Sequence, residues 1–127
     1  MWALEHIDEW GARVSRVLGD MNIASVHLCV APLKNYGNFS WYEPPLETMP
    51  DNFGLVICDG PPGGVHGGRA GLLPIMRDRL ARCSTILIDD TSRKQEETIA
   101  RQWSHVLDAS LEYCGDAKSF AAIRIGV

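Results

Sequence analysis

The sequence predicts an α/β fold with a mostly parallel sheet, and three observations carry the prediction. Phe53–Cys58 and Ser84–Ile88 are short apolar runs without polar alternation, as expected of strands covered on both faces. Each run stops at carboxylates, Asp59 after the first and Asp89-Asp90 after the second. Segments with helical spacing alternate with the strand-like runs, the order that a parallel sheet with right-handed crossovers requires.

The chain has 127 residues, which suits one domain with a true core. A net charge of −4 gives no general attraction to nucleic acid or to an acidic membrane surface, so neither is expected as a partner. No apolar run approaches the roughly 20 residues of a membrane span. The first residues lack the basic and apolar regions of a secretory signal, and a cytoplasmic location is expected. Cys29, Cys58, Cys83 and Cys114 are widely spaced and form no C-x-x-C pair. They are expected to be reduced, buried thiols.

Taken in order, Trp2-Ala3-Leu4 is a short strand ending at Glu5. Ile7, Trp10, Val14, Val17 and Leu18 then recur at helical spacing, which predicts an amphipathic helix over 7–19. Asp8 and Glu9 suit its positive N-terminal end. Ala24–Val30 is the next strand, and Ala31-Pro32-Leu33 leaves it. Residues 31–52 show no strong period, although 39–43 has the makings of a short extra strand. Tyr36, Phe39, Trp41 and Tyr42 make this segment aromatic, suited either to lining a pocket or to covering a sheet edge.

The strand at 53–58 breaks at Gly60-Pro61-Pro62-Gly63, which neither extends a strand nor starts a helix. A glycine-rich loop, Gly63–Arg69, follows and carries His66, a candidate general base or simply an exposed loop histidine. Leu72, Leu73, Met76 and Leu80 predict a helix over 71–82. Ser92 and Gln95 have capping-box spacing at the start of a helix running to about 107. Ser110–Cys114 and Ser119–Ile125, joined by four residues, predict a closing antiparallel hairpin.

The element order is that of a Rossmann-like α/β sheet with helices on both faces and a C-terminal hairpin. Ligands bind such sheets at the carboxyl ends of the strands. Glu5, Asp59, Asp89 and Asp90 are therefore expected to share one rim. Hard oxygen ligands there would suit Mg²⁺, giving Asp59, Asp89 and Asp90 as a candidate metal site.

With these residues, the order resembles the class I S-adenosylmethionine-dependent methyltransferases, from Trp2 to Val127. Ala3-Leu4-Glu5-His6 looks like that family's second strand, which implies that Glu5 binds the cofactor's ribose hydroxyls and His6 lies beside it. Ala31, Pro32 and Leu33 look like the turn bordering the adenine. Asp59-Gly60-Pro61-Pro62-Gly63 looks like the motif after the fourth strand, beside the transferred methyl group, which implies a catalytic Asp59 with Gly60 against the cofactor. Asp89-Asp90, Arg93 and Glu96 are similar to the fifth-strand end of small-molecule O-methyltransferases.

The resemblance begins at the second strand. The family's first strand and its glycine-rich turn have no counterpart among residues 1–127, so the domain is expected to be an N-terminally truncated one. The implied function is methyl transfer to a small-molecule hydroxyl. The alternative is a non-catalytic member of the fold acting as a dimerisation or binding module. A buried strand beginning at residue 1 needs a neighbour, and a homodimer is expected.

Overall fold

The computed structural model describes residues 1–126, except the side chain of Cys83. Eight strands and three α-helices follow in the order β1 (Trp2–Glu5), α1 (Asp8–Asp20), β2 (His27–Val30), β3 (Leu33–Asn35), β4 (Ser40–Tyr42), β5 (Phe53–Cys58), α2 (Leu72–Met76), β6 (Leu80–Ile88), α3 (Lys94–Leu107), β7 (Ser110–Cys114) and β8 (Phe120–Arg124). This is the predicted α/β architecture. β1 pairs with β2 in parallel, and β5 pairs with β6 in parallel. The closing hairpin is antiparallel, with β8 lying between β6 and β7. The segment 31–52 is better ordered than its sequence suggests, because β3 and β4 form a small antiparallel ladder.

The main sheet runs β5-β6-β8-β7 and its centre is dry. Ile86, Ile88, Ala121 and Ile123 are fully buried. They lie in register with Val56 and Cys58, so they share one face. Ile99, Ala100 and Trp103 of α3, Leu72, Leu73 and Met76 of α2, and Trp41 and Tyr42 of β4 join them in one core. Each fully buried Ile contributes about 1.5–3 kcal/mol relative to exposure.

Several local expectations need correction. β5 was expected to be covered on both faces, yet Leu55 is 56% and Ile57 67% exposed. The reason is topological. No strand lies between β1 and β5 among the described residues, so β5 is the edge of its sheet and β1–β2 forms a separate pair. The helix predicted over 71–82 stops at Met76 and tightens into one 3₁₀ turn, Arg77–Arg79. Leu80 then starts β6 by pairing with Phe53. α3 has Arg93 at its N-cap with no side-chain cap bond, so the capping box does not form. With its amide nitrogen toward the Gly63 oxygen (3.2 Å) and its amide oxygen toward the Gly68 nitrogen (3.3 Å), Gln95 instead ties down the glycine loop.

Cys58 is buried, whereas Cys29 and Cys114 are only partly covered, and all three are free thiols. The same expectation for Cys83 lies outside the described residues. No helix among the described residues is long and apolar enough to cross a membrane.

Candidate functional site

The strand ends place the acidic residues. Glu5 closes β1, and its neighbour in register, Val30, closes β2. The chain then turns at Ala31, whose N–H donates to the Glu5 carbonyl at 2.7 Å. The turn Ala31-Pro32-Leu33 is therefore fastened directly beside Glu5. One oxygen of the Glu5 carboxylate, Oε1, accepts the backbone N–H groups of His6 (2.8 Å) and Ile7 (2.9 Å). This fixes the side chain and leaves Oε2 without a hydrogen bond among the described residues. Such a carboxylate is ready to accept hydroxyl donors.

Asp59 and Gly60 follow β5, and the Gly60–Pro61 peptide is cis. Tyr42 joins this end to the end of β1. A side chain at Gly60 would collide with the Tyr42 hydroxyl, so the loop requires glycine there. On its other side, the Tyr42 ring stands 6.0 Å from that of His6, edge to face. Burial pushes the Tyr42 hydroxyl up to about 12, with Glu5, Cys58 and Asp59 adding to the rise and Arg69 opposing it. Tyr42 is thus a neutral hydroxyl near physiological pH. Because the carboxyl ends of β1 and β5 both meet Tyr42, the two strands point the same way and share one rim. A cleft of about 410 Å³ between them is lined by Glu5, Asp59 and Gly60 with Leu4, Tyr42 and Val56. That volume lies within the range of small-molecule sites. His6, Ala31, Pro32 and Leu33 flank the rim without lining the cleft.

Asp89 and Asp90 reach the same rim from β6. Oxygens of Asp59, Asp89 and Asp90 lie within 4.8 Å of one another. The group that reconciles them is Arg69, which is only 2% exposed. Its Nη1 donates to the Asp89 carbonyl. Its Nη2 donates to the Asp59 carbonyl (3.2 Å) and to Asp90 Oδ2 (3.0 Å), and lies 3.6 Å from Asp59 Oδ1. Arg93 Nη1 approaches Asp90 Oδ2 from outside at 3.3 Å.

Arg69 therefore supplies the positive charge at the position where the sequence suggested Mg²⁺. A divalent ion there would have to share the carboxylates of Asp59 and Asp90 with a buried guanidinium, which reaches Asp89 through its backbone carbonyl. Beyond the closeness of the three carboxylates, nothing among the described residues supports Mg²⁺ here. Desolvation, then the hydrogen bond and charge of Asp89, push the Asp59 carboxyl above its ordinary value, while Arg69 pulls the other way. Asp59 is the exposed member of the cluster, with its side chain 73% accessible.

No protein-family profile and no curated protein matches the chain. Solved structures do match it. A methyltransferase from Pyrococcus furiosus superposes with a TM-score of 0.70 at 17% identity, over 99% of this chain and 62% of that one. A Streptococcus mutans chain assigned as a methyltransferase and solved in complex with SAH gives 0.64 at 11% identity, over 98% and 75%. A precorrin-6y C5,15-methyltransferase from Geobacter metallireducens gives 0.62 at 15%, over 97% and 65%. The fold is a methyltransferase fold. The chain spans less than two-thirds of the length of the Pyrococcus and Geobacter metallireducens structures.

Within this methyltransferase fold, sequence reasoning missed Arg69 and the bridging role of Tyr42. A usable signal existed for Arg69: three strand-end carboxylates on one rim need a cation, and the loop after β5 contains one. His66, a candidate base, is exposed and turned toward the β3–β4 loop, with Nε2 3.1 Å from the Gly37 carbonyl. Glu96 is completely buried, and neither of its carboxylate oxygens has a hydrogen-bond partner among the described residues.

Proposed function

We propose that this chain is an S-adenosylmethionine-dependent methyltransferase domain acting on a small-molecule hydroxyl. The observation that carries the reading is that Glu5 and Asp59–Gly60 face one cleft from the carboxyl ends of strands running the same way. The residues suit the cofactor. Glu5 is held by two backbone amides with its second oxygen free to accept the ribose hydroxyls. The turn at Ala31, Pro32 and Leu33 stands beside it as an adenine border. When bound, the cofactor supplies an electrophilic methyl group on a sulfonium.

The rest is done by the chain. Trp41 and Tyr42, both buried against the cleft, provide apolar walls that exclude water. Asp59, accessible and flanked by Asp89 and Arg69, is placed to take the proton from an acceptor hydroxyl as that oxygen becomes nucleophilic. Desolvation, then Asp89, raise its carboxyl above the ordinary value, which makes it a stronger base than an ordinary aspartate.

The test is calorimetric titration of S-adenosylhomocysteine into the protein and its Glu5→Ala variant. Binding by the parent chain, weakened at least tenfold by the substitution, is the expected result. No heat at millimolar ligand would instead assign the chain to the non-catalytic, binding-module reading.

A further inference from the structure

We propose that the groove where the glycine loop meets the first turn of α3 binds a polyhydroxylated small molecule, of the sugar or cyclitol kind. This deepens the methyltransferase reading, and rests on it only in making that molecule the methyl acceptor.

The groove has a volume of about 460 Å³ and is lined by Gly63, Gly64, Arg93, Lys94, Gln95 and Glu96. It shares no lining residue with the cleft between β1 and β5. That cleft has Leu4, Tyr42 and Val56 in its walls, whereas no apolar side chain lines the groove. Arg93 Nη1 lies 3.3 Å from Asp90 Oδ2, and Asp90 shares Arg69 with Asp59. The groove thus adjoins the acidic cluster that holds the proposed base.

Glu96 is the reason to expect a ligand here. It is completely buried, and neither carboxylate oxygen has a hydrogen-bond partner among the described residues. A buried carboxylate without donors is costly. Glu96 is the third residue of α3, where a glutamate ordinarily reaches back to the N–H of the N-cap residue. That N–H, on Arg93, donates instead to the Asp90 carbonyl at 3.0 Å. The local donor is taken, and the carboxylate is left for a donor from outside the chain.

Gly63 shows where that donor enters. Its φ is not positive, so its backbone does not demand glycine. What the missing side chain supplies is space. A methyl group there would stand 3.0 Å from Arg93 Nη1 and 3.6 Å from Glu96 Oε1. The Arg93 guanidinium caps this space. Its side chain is 53% exposed and can swing outward to admit a ligand.

The two neighbours decide the chemistry. An anionic group would meet the Glu96 carboxylate, and an ammonium would meet the Arg93 guanidinium. A hydroxyl donates to the first and accepts from the second, and needs no charge of its own. One hydroxyl fills a small part of the groove. Lys94 offers further donors around it, and no aliphatic or aromatic wall is present to hold a hydrophobic ring. A molecule carrying several hydroxyls fits, and a phenol does not. Gln95 keeps the groove in shape, because its amide is engaged by the Gly63 oxygen and the Gly68 nitrogen of the loop.

The test is a titration of methyl α-glucopyranoside and of myo-inositol into the ¹⁵N-labelled 127-residue chain, followed by amide chemical shifts. Catechol and inorganic phosphate are the controls. Either polyol, at millimolar concentration, should move the amides of Gly63, Gly64, Lys94, Gln95 and Glu96 along one saturating curve. Glu96→Met removes the acceptor, and Gly63→Ala fills the space. Each should bind at least about tenfold more weakly, the loss expected of one hydrogen bond to a charged group. Thermal unfolding is followed alongside. Glu96→Met should be more stable than the parent chain, so its loss of binding is not a loss of fold.

A flat titration with both polyols would overturn the proposal and leave Glu96 to an internal water. Undiminished binding by either variant would also overturn it, as would movement of the same amides at lower concentrations of phosphate or catechol. No S-adenosyl compound is present, so the outcomes separate. Polyol binding without S-adenosylhomocysteine binding keeps this site and removes the methyltransferase reading. The reverse result keeps that reading with a different acceptor.

Discussion

Arg69→Met should be among the most damaging single substitutions in this protein. The guanidinium is buried and holds four groups: the carbonyls of Asp59 and Asp89, and the carboxylates of Asp59 and Asp90. Methionine fills similar space without a charge or a donor. Two carbonyls then lose their donor, at roughly 1–3 kcal/mol for each that stays out of water. Among the described residues, the Asp90 carboxylate then keeps only the more exposed Arg93. Breaking a buried ion pair from one side costs about 3–5 kcal/mol.

The two costs overlap because one guanidinium makes both sets of contacts, and Asp59 is largely exposed and rehydrates, so they are not summed and about 3–5 kcal/mol is expected. For a domain of this size that corresponds to a fall in Tm of roughly 10–20 °C. Thermal and urea unfolding followed by circular dichroism measure it. Asp90→Asn combined with Arg69→Met should lose at least about 1 kcal/mol less than the sum of the single changes, because the two residues act as a pair. Asn tolerates the left-handed backbone at position 90, where φ is 58°. A Tm shift under about 3 °C for Arg69→Met, or strict additivity, would refute the argument.

Three further outcomes follow from the same geometry. Gly71→Ala should destabilise by about 1–3 kcal/mol in urea unfolding, because the new methyl collides with Cβ and Cγ of buried Trp41; a neutral result would show that β4 shifts freely. Glu96→Met should stabilise by about 1–4 kcal/mol, since it replaces a fully buried carboxylate that lacks a hydrogen-bond partner among the described residues; a loss of stability would mean that the carboxylate is usefully paired. The third outcome concerns the titration of Asp59, which the fold raises. The folded state thus favours the protonated form, and that contribution to stability is present below the ordinary aspartate value and lost as pH rises through the folded one. Asp89→Asn removes a neighbouring negative charge and should move the Asp59 midpoint down toward its ordinary value in a carboxyl ¹³C NMR titration; an unchanged or higher midpoint would contradict the assigned cause.

The strand ends were legible in the sequence because an apolar run terminating in a carboxylate has few other readings, and Glu5, Asp59 and Asp89-Asp90 do reach one rim. The closing hairpin was legible because four residues leave room for little besides a reversal. Exposure of β5 was not. An apolar run reports which residues avoid water, while burial depends on whether another strand stands alongside. The end of α2 was hidden for a related reason. Leu80 continues a helical period in sequence, but pairing with Phe53 wins it for β6, a tertiary contact that overrides local spacing. Arg69 sits among glycines, and nothing local records the 20 and 21 residues that separate it from Asp89 and Asp90. Tyr42 was noted only as one of several rings in an irregular segment, and its place between two strand ends emerges once β3 and β4 pair.

The central claim is that the carboxyl ends of β1 and β5 form one binding rim. Amide chemical shifts recorded during an S-adenosylhomocysteine titration test it most directly. Glu5, His6, Ala31, Asp59 and Gly60 should move together along a single saturating curve, with β7 and the far end of α3 unaffected. Shifts confined to one side of the cleft, or saturating at different ligand concentrations on the two sides, would show that these residues do not form one site.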